Sequence, residues 1–281
     1  MNKSERNIML LFSGYVKSMS LVVLLKDIPD LNELKTDTSS NELNTKGVKR
    51  RISDLDLRAL EAALKLKEGM GGKVVTITVG NEDSKTVLLQ ALAMGADESI
   101  LVQKPELVKV DCLATSKVIE ACIRKIGNYK IIIAGEMSLD GLNSQVGPRV
   151  AELMDIPQIN YVKNIEATET MVRAIRDLEG GEEVVEADFP VLLTVLREIN
   201  EPRIPSLTNI MRARKKPILD WTLGELGLSG DKLSNLSKVS TTSIEIPVVE
   251  RKNIIIEASS AEEMVKILVQ HLREDGVLVG N

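Results

Sequence analysis

The chain has 281 residues, 43% of them hydrophobic and 27% charged, enough for one large domain with a substantial core and an extended tail. Aromatic residues make up only 2%, so Val, Ile, Leu, Ala and Met must build the core, and the aromatic platforms of base-stacking nucleic-acid binders are excluded. A net charge of -5 supplies no electrostatic pull towards nucleic acid or an anionic membrane.

Cys112 and Cys122 are the only cysteines and lack a C-x-x-C spacing, which reads as two reduced thiols of a cytoplasmic protein. His271 is the single histidine, so His/Cys zinc sites and a Ser-His-Asp triad in the body of the chain are poorly supported. Residues 1–18 read as an N-terminal extension that need not be ordered. Its apolar patch Ile8–Phe12 is too short to span a bilayer, no convincing cleavage site follows, and Met19 is a candidate start.

Ser20–Lys26 (SLVVLLK) is a short branched apolar run bounded by the turn Asp27–Asp30, as a buried parallel strand should be. Residues 36–47 are a polar loop. Ser53 with Asp56 resembles a capping box, Leu57, Leu60, Ala63, Leu64 and Leu66 follow at helical spacing, and Gly69–Gly72 stops that helix. Lys73–Val79 predicts a strand, Ser84–Met94 a helix, Ser99–Val102 a strand, Asp111–Ile126 a helix and Lys130–Ala134 a strand. After a loop from Gly135, a helix is expected from about Asn143 to Met154. Strands spaced by helices imply a parallel sheet covered on both faces.

From Asn160 the texture changes. Tyr161–Ala167 and Met171–Ile175 predict antiparallel strands around Thr168–Thr170, with Val184–Ala187 and Val191–Leu196 after the Gly180–Gly181 turn. Past Pro217 the chain reads as loop-rich, with Gly224, Gly227, Gly230 and the polar stretch Ser234–Ser243, before an amphipathic helix over Ala261–Leu272. Residues 19–216 are therefore expected to be the α/β domain. Residues 217–281 form an arm expected to gain its order on another chain, folding back on its own domain being the alternative.

Ligands of a doubly wound sheet bind at the carboxyl ends of its strands, which here offers the loops Lys26–Asp30, Val79–Asp83 and Gly135–Val146. The last is the most informative. Gly135 permits close backbone approach, Asp140-Gly141 makes a sharp turn, and Asn143 and Ser144 are good caps beside helix N–H groups that favour a phosphate. An ordinary strand-to-helix connection fits the same residues equally well, and neither G-x-G-x-x-G nor a Walker A lysine motif is present. Elsewhere, Glu61, Lys65 and Lys67 read as a solvated helix face, and Asp54 and Asp56 as first-turn carboxylates. Arg212, Arg214, Lys215 and Lys216 read as a helix C-terminus, and Trp221 as a packing anchor.

The run Asn200-Glu201-Pro202-Arg203-Ile204-Pro205-Ser206-Leu207-Thr208-Asn209-Ile210-Met211-Arg212-Ala213-Arg214-Lys215-Lys216 closely resembles the signature of electron transfer flavoprotein β subunits. Further landmarks stand in the family's order: Val22–Asp30 (VVLLKDIPD), Ala59–Glu68 (ALEAALKLKE), Ala91–Asp97 (ALAMGAD) and Asp140–Pro148 (DGLNSQVGP). The similarity covers about residues 20–273. It implies a Rossmann-like, mostly parallel fold of the adenine nucleotide α-hydrolase kind with an antiparallel portion. It also implies a heterodimer with an α subunit that holds a redox-active FAD, and a C-terminal arm and helix that pack on that subunit.

By the resemblance, the β-site nucleotide would be lined by Leu24, Lys26, Ser53, Asp54, Leu55, Asp56, Val79, Gly135, Glu136, Met137, Ser138, Leu139, Asp140, Gly141, Leu142, Asn143, Ser144, Gln145 and Val146. Asn200–Met211 matches the family's docking loop for acyl-CoA dehydrogenase-type or quinone oxidoreductase partners, with Leu207 as its anchor and Asn200, Glu201, Pro202, Arg203, Ile204, Pro205, Ser206, Thr208, Asn209, Ile210 and Met211 around it. Ile204 replaces the usual aromatic, and Ser53-Asp54 the usual Asn-Pro. The family's β site holds either AMP or a second FAD. The AMP type carries Asp-Asp-x-x-Asn-Gln-Thr-Gly-Gln, whereas Asp140-Gly141 with Gln145-Val146-Gly147-Pro148 resembles the electron-bifurcating type, which implies FAD. Two rivals are a stand-alone ATP-handling protein of related fold, whose catalytic phosphate loop is not found, and a partner subunit whose nucleotide only braces the fold.

Overall fold

The computed structural model describes residues 19–36, 43–44, 47–103, 110–242 and 252–278; the expected extension 1–18 lies outside them. Strand β1 (Ser20–Leu24) is buried along its whole length and leads into β2 (Asp27–Pro29). The two-residue strands β3 (Lys35–Thr36) and β4 (Leu43–Asn44) form a small ribbon. Strand β5 (Arg50–Ile52) pairs antiparallel with β2, so Asp27–Pro29 is paired backbone rather than the turn the sequence suggests.

Helix α1 (Asp54–Met70) ends on Gly71, whose φ of 75° needs a residue without a Cβ. Then come β6 (Lys73–Gly80), α2 (Lys85–Met94), β7 (Glu98–Gln103), α3 (Cys112–Ile126), β8 (Tyr129–Gly135) and α4 (Val146–Met154). Strands β9 (Gln158–Ala167), β10 (Met171–Leu178), β11 (Gly181–Asp188) and β12 (Val191–Val195) follow, then α5 (Leu207–Ala213), β13 (Ile218–Thr222), α6 (Gly230–Leu236) and α7 (Ala261–Glu274).

Nine strands form one sheet in the order β11-β10-β9-β12-β8-β1-β6-β7-β13. Pairing is parallel from β9 through to β13, and antiparallel where β10 and β11 extend one edge. Strand side chains alternate between two cores, as the two-residue period requires. Leu21, Val23, Ile131 and Ile133 face α1 and α2; Val22, Leu24, Ile132 and Ala134 face α3 and α4. Ile131, Ile132 and Ile133 are fully buried. Truncating one of them to Ala is expected to cost about 2–5 kcal/mol.

Three expectations are corrected. Ile218–Thr222, within the stretch read as loop-rich, is a strand paired in parallel with β7, because its backbone completes the free edge of that strand. Ser53 does not cap α1: its hydroxyl is buried without a partner among the described residues, while Asp56 turns its carboxylate towards the sheet. Helix α4 starts at Val146 with Gln145 as its N-cap, since Leu142 (φ 48°) and Ser144 (φ 51°) are left-handed and cannot belong to a right-handed helix.

Candidate functional site

From β1 the chain builds outward through β6 and β7, then crosses back to β8 on the other side of β1. The carboxyl ends of β1 and β8 are therefore the switch point of the sheet, where the connections diverge and leave a crevice. Asp56, in the first turn of α1, ties these two ends together. Its Oδ2 accepts from the Lys26 N–H (2.7 Å) and its Oδ1 from the Gly135 N–H (3.0 Å). Burial pushes its carboxyl up to about 7, against the pull of those two bonds. Gly135 is required here, because a Cβ would lie 2.6 Å from Asp56 Oδ1 and 2.7 Å from Leu55 Cβ.

The loop from Glu136 to Gln145 rises from this clamp. Met137, Asp140, Gly141, Leu142, Asn143 and Gln145 are exposed, and Ser138, Leu139 and Ser144 are half-buried. Lys26 reaches across the crevice from the end of β1, its Nζ 2.8 Å from Asp140 Oδ1 and 3.1 Å from Ser138 Oγ. Burial would raise the Asp140 carboxyl, but the bonds from Lys26 and Ser138 hold it below the usual range. At Gly141 a Cβ would stand 2.9 Å from Asn143 Nδ2 and 3.5 Å from Lys26 Nζ, so glycine keeps the loop close to the ammonium. The N-cap residue Gln145 makes no side-chain cap bond at the start of α4, where the loop enters the helix. Unsatisfied N–H groups and the dipole at such a helix start favour an anion.

Not every residue singled out from sequence faces this crevice. Glu136 turns inward and is buried, Leu24 and Leu55 belong to the core, Ser53 is buried, and Val79 is half-buried at the end of β6. Asp54 pairs with Arg51 at the margin. Sequence reasoning missed Asp27, which accepts from Arg50 Nε (2.8 Å) and Ser84 Oγ (2.7 Å) and fixes the loops after β1 and β6 to one another. It also missed Thr194 and Tyr161, which meet Glu136 below the loop. No local pattern marks these contacts, since each joins residues at least twenty-three positions apart.

The segment Asn200–Met211 is held against α1. Arg203 forks onto Glu61 (Nε–Oε2 2.8 Å, Nη2–Oε1 3.0 Å) and reaches Glu68 (2.8 Å), and Asn200 Nδ2 donates to Arg58 O (3.0 Å). Glu61 is thus buried, and Lys67 binds Asp97 (2.7 Å), so the expected solvated face of α1 is largely an anchoring face; only Lys65 is exposed. Beyond the anchor, apolar side chains stand in solvent: Ile204 is 93% exposed, Leu207 76% and Met211 53%. Arg212 does lie in the last turn of α5, as expected of a helix C-terminus, and Trp221 packs against the α3 core beneath Lys125.

Among the described residues no group of His, Cys, Asp and Glu could hold a metal ion, and no helix is long and apolar enough to cross a membrane. Residues 41–226 match the family described as the electron transfer flavoprotein domain. The electron transfer flavoprotein subunit beta of Thermoanaerobacterium thermosaccharolyticum is 37% identical over 92% of this chain and 100% of that protein. Its namesake in Clostridium acetobutylicum is 39% identical over 81% of this chain and 90% of that one. Subunit CarD of the caffeyl-CoA reductase-Etf complex of Acetobacterium woodii is 32% identical over 92% of this chain and 100% of its own.

Proposed function

The chain belongs to the electron transfer flavoprotein family, as a β subunit, and from that premise we propose that its switch-point loop holds FAD and that the heterodimer carries electrons between redox partners. The observation that carries the cofactor reading is the crevice between the ends of β1 and β8, lined by Lys26, Gly141 and the start of α4. The residues present fit an adenine dinucleotide. The Lys26 ammonium and the N–H groups at the start of α4 would hold its phosphates, and Gly141 keeps the loop free of a side chain beside that ammonium.

Gly141 also favours a diphosphate over a monophosphate. The family's AMP pattern has a carboxylate at this position, and a side chain there would begin 3.5 Å from Lys26 Nζ and claim part of its charge. With glycine, Lys26 keeps Asp140 as its one ion-pair partner among the described residues and has charge to share with phosphate.

When bound, the flavin supplies reversible one- and two-electron chemistry that no side chain of this chain supplies. The chain's own residues bind and orient. Asp56 fixes the strand ends, Lys26 and the start of α4 would hold the phosphates, and Asn200–Met211 would offer Leu207 and its apolar neighbours to a partner. A small hydrophobic contact of that kind suits brief docking. The α subunit holds the further FAD and receives α7. The partner is an acyl-CoA dehydrogenase-type or quinone oxidoreductase protein, the donor is NADH-like, the complex is cytoplasmic, and electrons divide between two acceptors. The name of the CarD relative, a subunit of a caffeyl-CoA reductase complex, supports an acyl-CoA-linked partner.

Denaturing the purified heterodimer and counting released nucleotides tests the reading: two FAD per dimer are expected. One FAD with one AMP would replace it by the bracing-nucleotide reading.

A further inference from the structure

Beneath the exposed face of the switch-point loop lies a buried carboxyl that cofactor binding leaves without a task. Glu136 follows Gly135, and its N–H donates to Val195 O (3.0 Å), continuing the ladder between β8 and β12. Its side chain meets the Thr194 hydroxyl of β12, and the Tyr161 N–H lies 3.3 Å from both Glu136 Oε2 and Thr194 Oγ1. Tyr161 has a φ of 61°, left-handed in the middle of β9, at the register break between β9 and β12. An aromatic residue is strained there and persists only where its surroundings hold it. Glu136 and Thr194 supply the acceptors that do so.

Counting hydrogens in this cluster gives the protonation state. Asn160 Nδ2 donates to Gln158 Oε1 (3.2 Å), so Asn160 Oδ1 is the atom that faces Thr194 Oγ1 (3.2 Å). Thr194 has one hydroxyl hydrogen and two neighbouring acceptors, Asn160 Oδ1 and Glu136 Oε2. With Glu136 ionised, one of these buried contacts sets oxygen against oxygen with no proton between. With Glu136 protonated, it donates to Thr194, Thr194 donates to Asn160, and each contact is satisfied.

Burial likewise pushes the Glu136 carboxyl up, against the pull of Thr194, the Tyr161 N–H, Ser144 and the charge of Arg176 from β10. Arg176 is drawn at the same time to Glu183 on β11 (3.7 Å). The far end of the loop rests on the same cluster. Ser144 contacts Glu136, and α4 packs so tightly on Thr194 that a Cβ at Gly147 would stand 2.6 Å from its methyl group.

We propose that Glu136 is a positioning residue for the switch-point loop, acting as a neutral hydrogen-bond donor to Thr194 and so fixing both ends of the loop against the kink at Tyr161. The proposal rests on the reading of that loop as the nucleotide site. Loss of the proton puts a negative charge below a loop that grips phosphates, so the grip loosens as the pH rises.

The test uses the purified full-length heterodimer and two readouts: adenine nucleotide retained per dimer from neutral to alkaline pH, and the infrared band of a protonated carboxyl. Wild type is expected to lose nucleotide several-fold faster at the alkaline end and to show the band. Glu136→Gln, whose amide donates the same bond and does not ionise, is expected to give a flat retention profile and to lack the band. Matching profiles in the two proteins, or a band unchanged by Glu136→Gln, overturns the proposal. A dimer carrying no nucleotide beyond that of the α subunit overturns the reading of the site instead, and the band still reports on Glu136.

Discussion

At the scale of single residues, the site is organised by carboxyls that serve backbone and partner groups rather than solvent. Asp56 is the main case. Its raised value means the folded protein keeps a proton that the unfolded chain has already lost. Stability from this group is therefore full below the ordinary aspartate range and declines as the pH climbs to about 7. Urea unfolding against pH is expected to show that decline in wild type and to lose it in Asp56→Asn. Arg203 makes a second prediction. Arg203→Ala strands Glu61, whose side chain is only 4% exposed, and should lower stability by on the order of 2 kcal/mol. That is below the ~3–5 kcal/mol of a fully enclosed pair, because Arg203 itself is partly open to solvent. A shift in the urea midpoint checks it.

These two residues also show the limit of reading along the chain. Asp56 and Glu61 carry the local marks of a helix N-terminus and a charged helix face. Their structural roles are set by Gly135 and Arg203, whose bonds to them span separations of 79 and 142 positions. Such partners leave no trace in local spacing.

At the scale of elements, the segment proposed for docking separates anchored residues from exposed ones. Asn200 and Arg203 bind α1, while Leu207 and Met211 stand free on α5. Leu207→Ala is accordingly expected to leave the melting temperature within about 1 °C, since an exposed surface change alters stability little. The same change should raise the KM for the proposed dehydrogenase partner several-fold; an unchanged KM would remove Leu207 from the proposed contact. In α4 the expected caps Asn143 and Ser144 were displaced by the left-handed bends at Leu142 and Ser144, which the loop adopts as it folds back over Lys26. Gly141→Asp, which sets a carboxylate beside Lys26, is expected to shift the retained nucleotide from FAD towards AMP, read by chromatography of the denatured dimer.

At the scale of the whole molecule, one helix has no place in the sheet's two cores. α7 buries none of its residues and leaves Met264, Val265 and Leu268 in solvent. An amphipathic helix with an uncovered apolar stripe gains little by itself and needs a second surface. Leu268→Asp is expected to weaken association with the α subunit at least tenfold while leaving the unfolding of the α/β domain unchanged; sedimentation against concentration measures the first and urea titration the second.

The sequence alone determined the alternation of strands and helices, the parallel core and the position of the long loop after β8. Those features follow from apolar periodicity and turn residues, which are local. Only the tertiary structure decided that β1 and β8 are neighbours, that Asp56 closes their ends, that Ile218–Thr222 joins the sheet and that Glu136 lies inward. The physical reason is the same for all four: each depends on which distant backbone N–H, hydroxyl or strand edge must be satisfied once water is excluded, and that is fixed only when the layers pack.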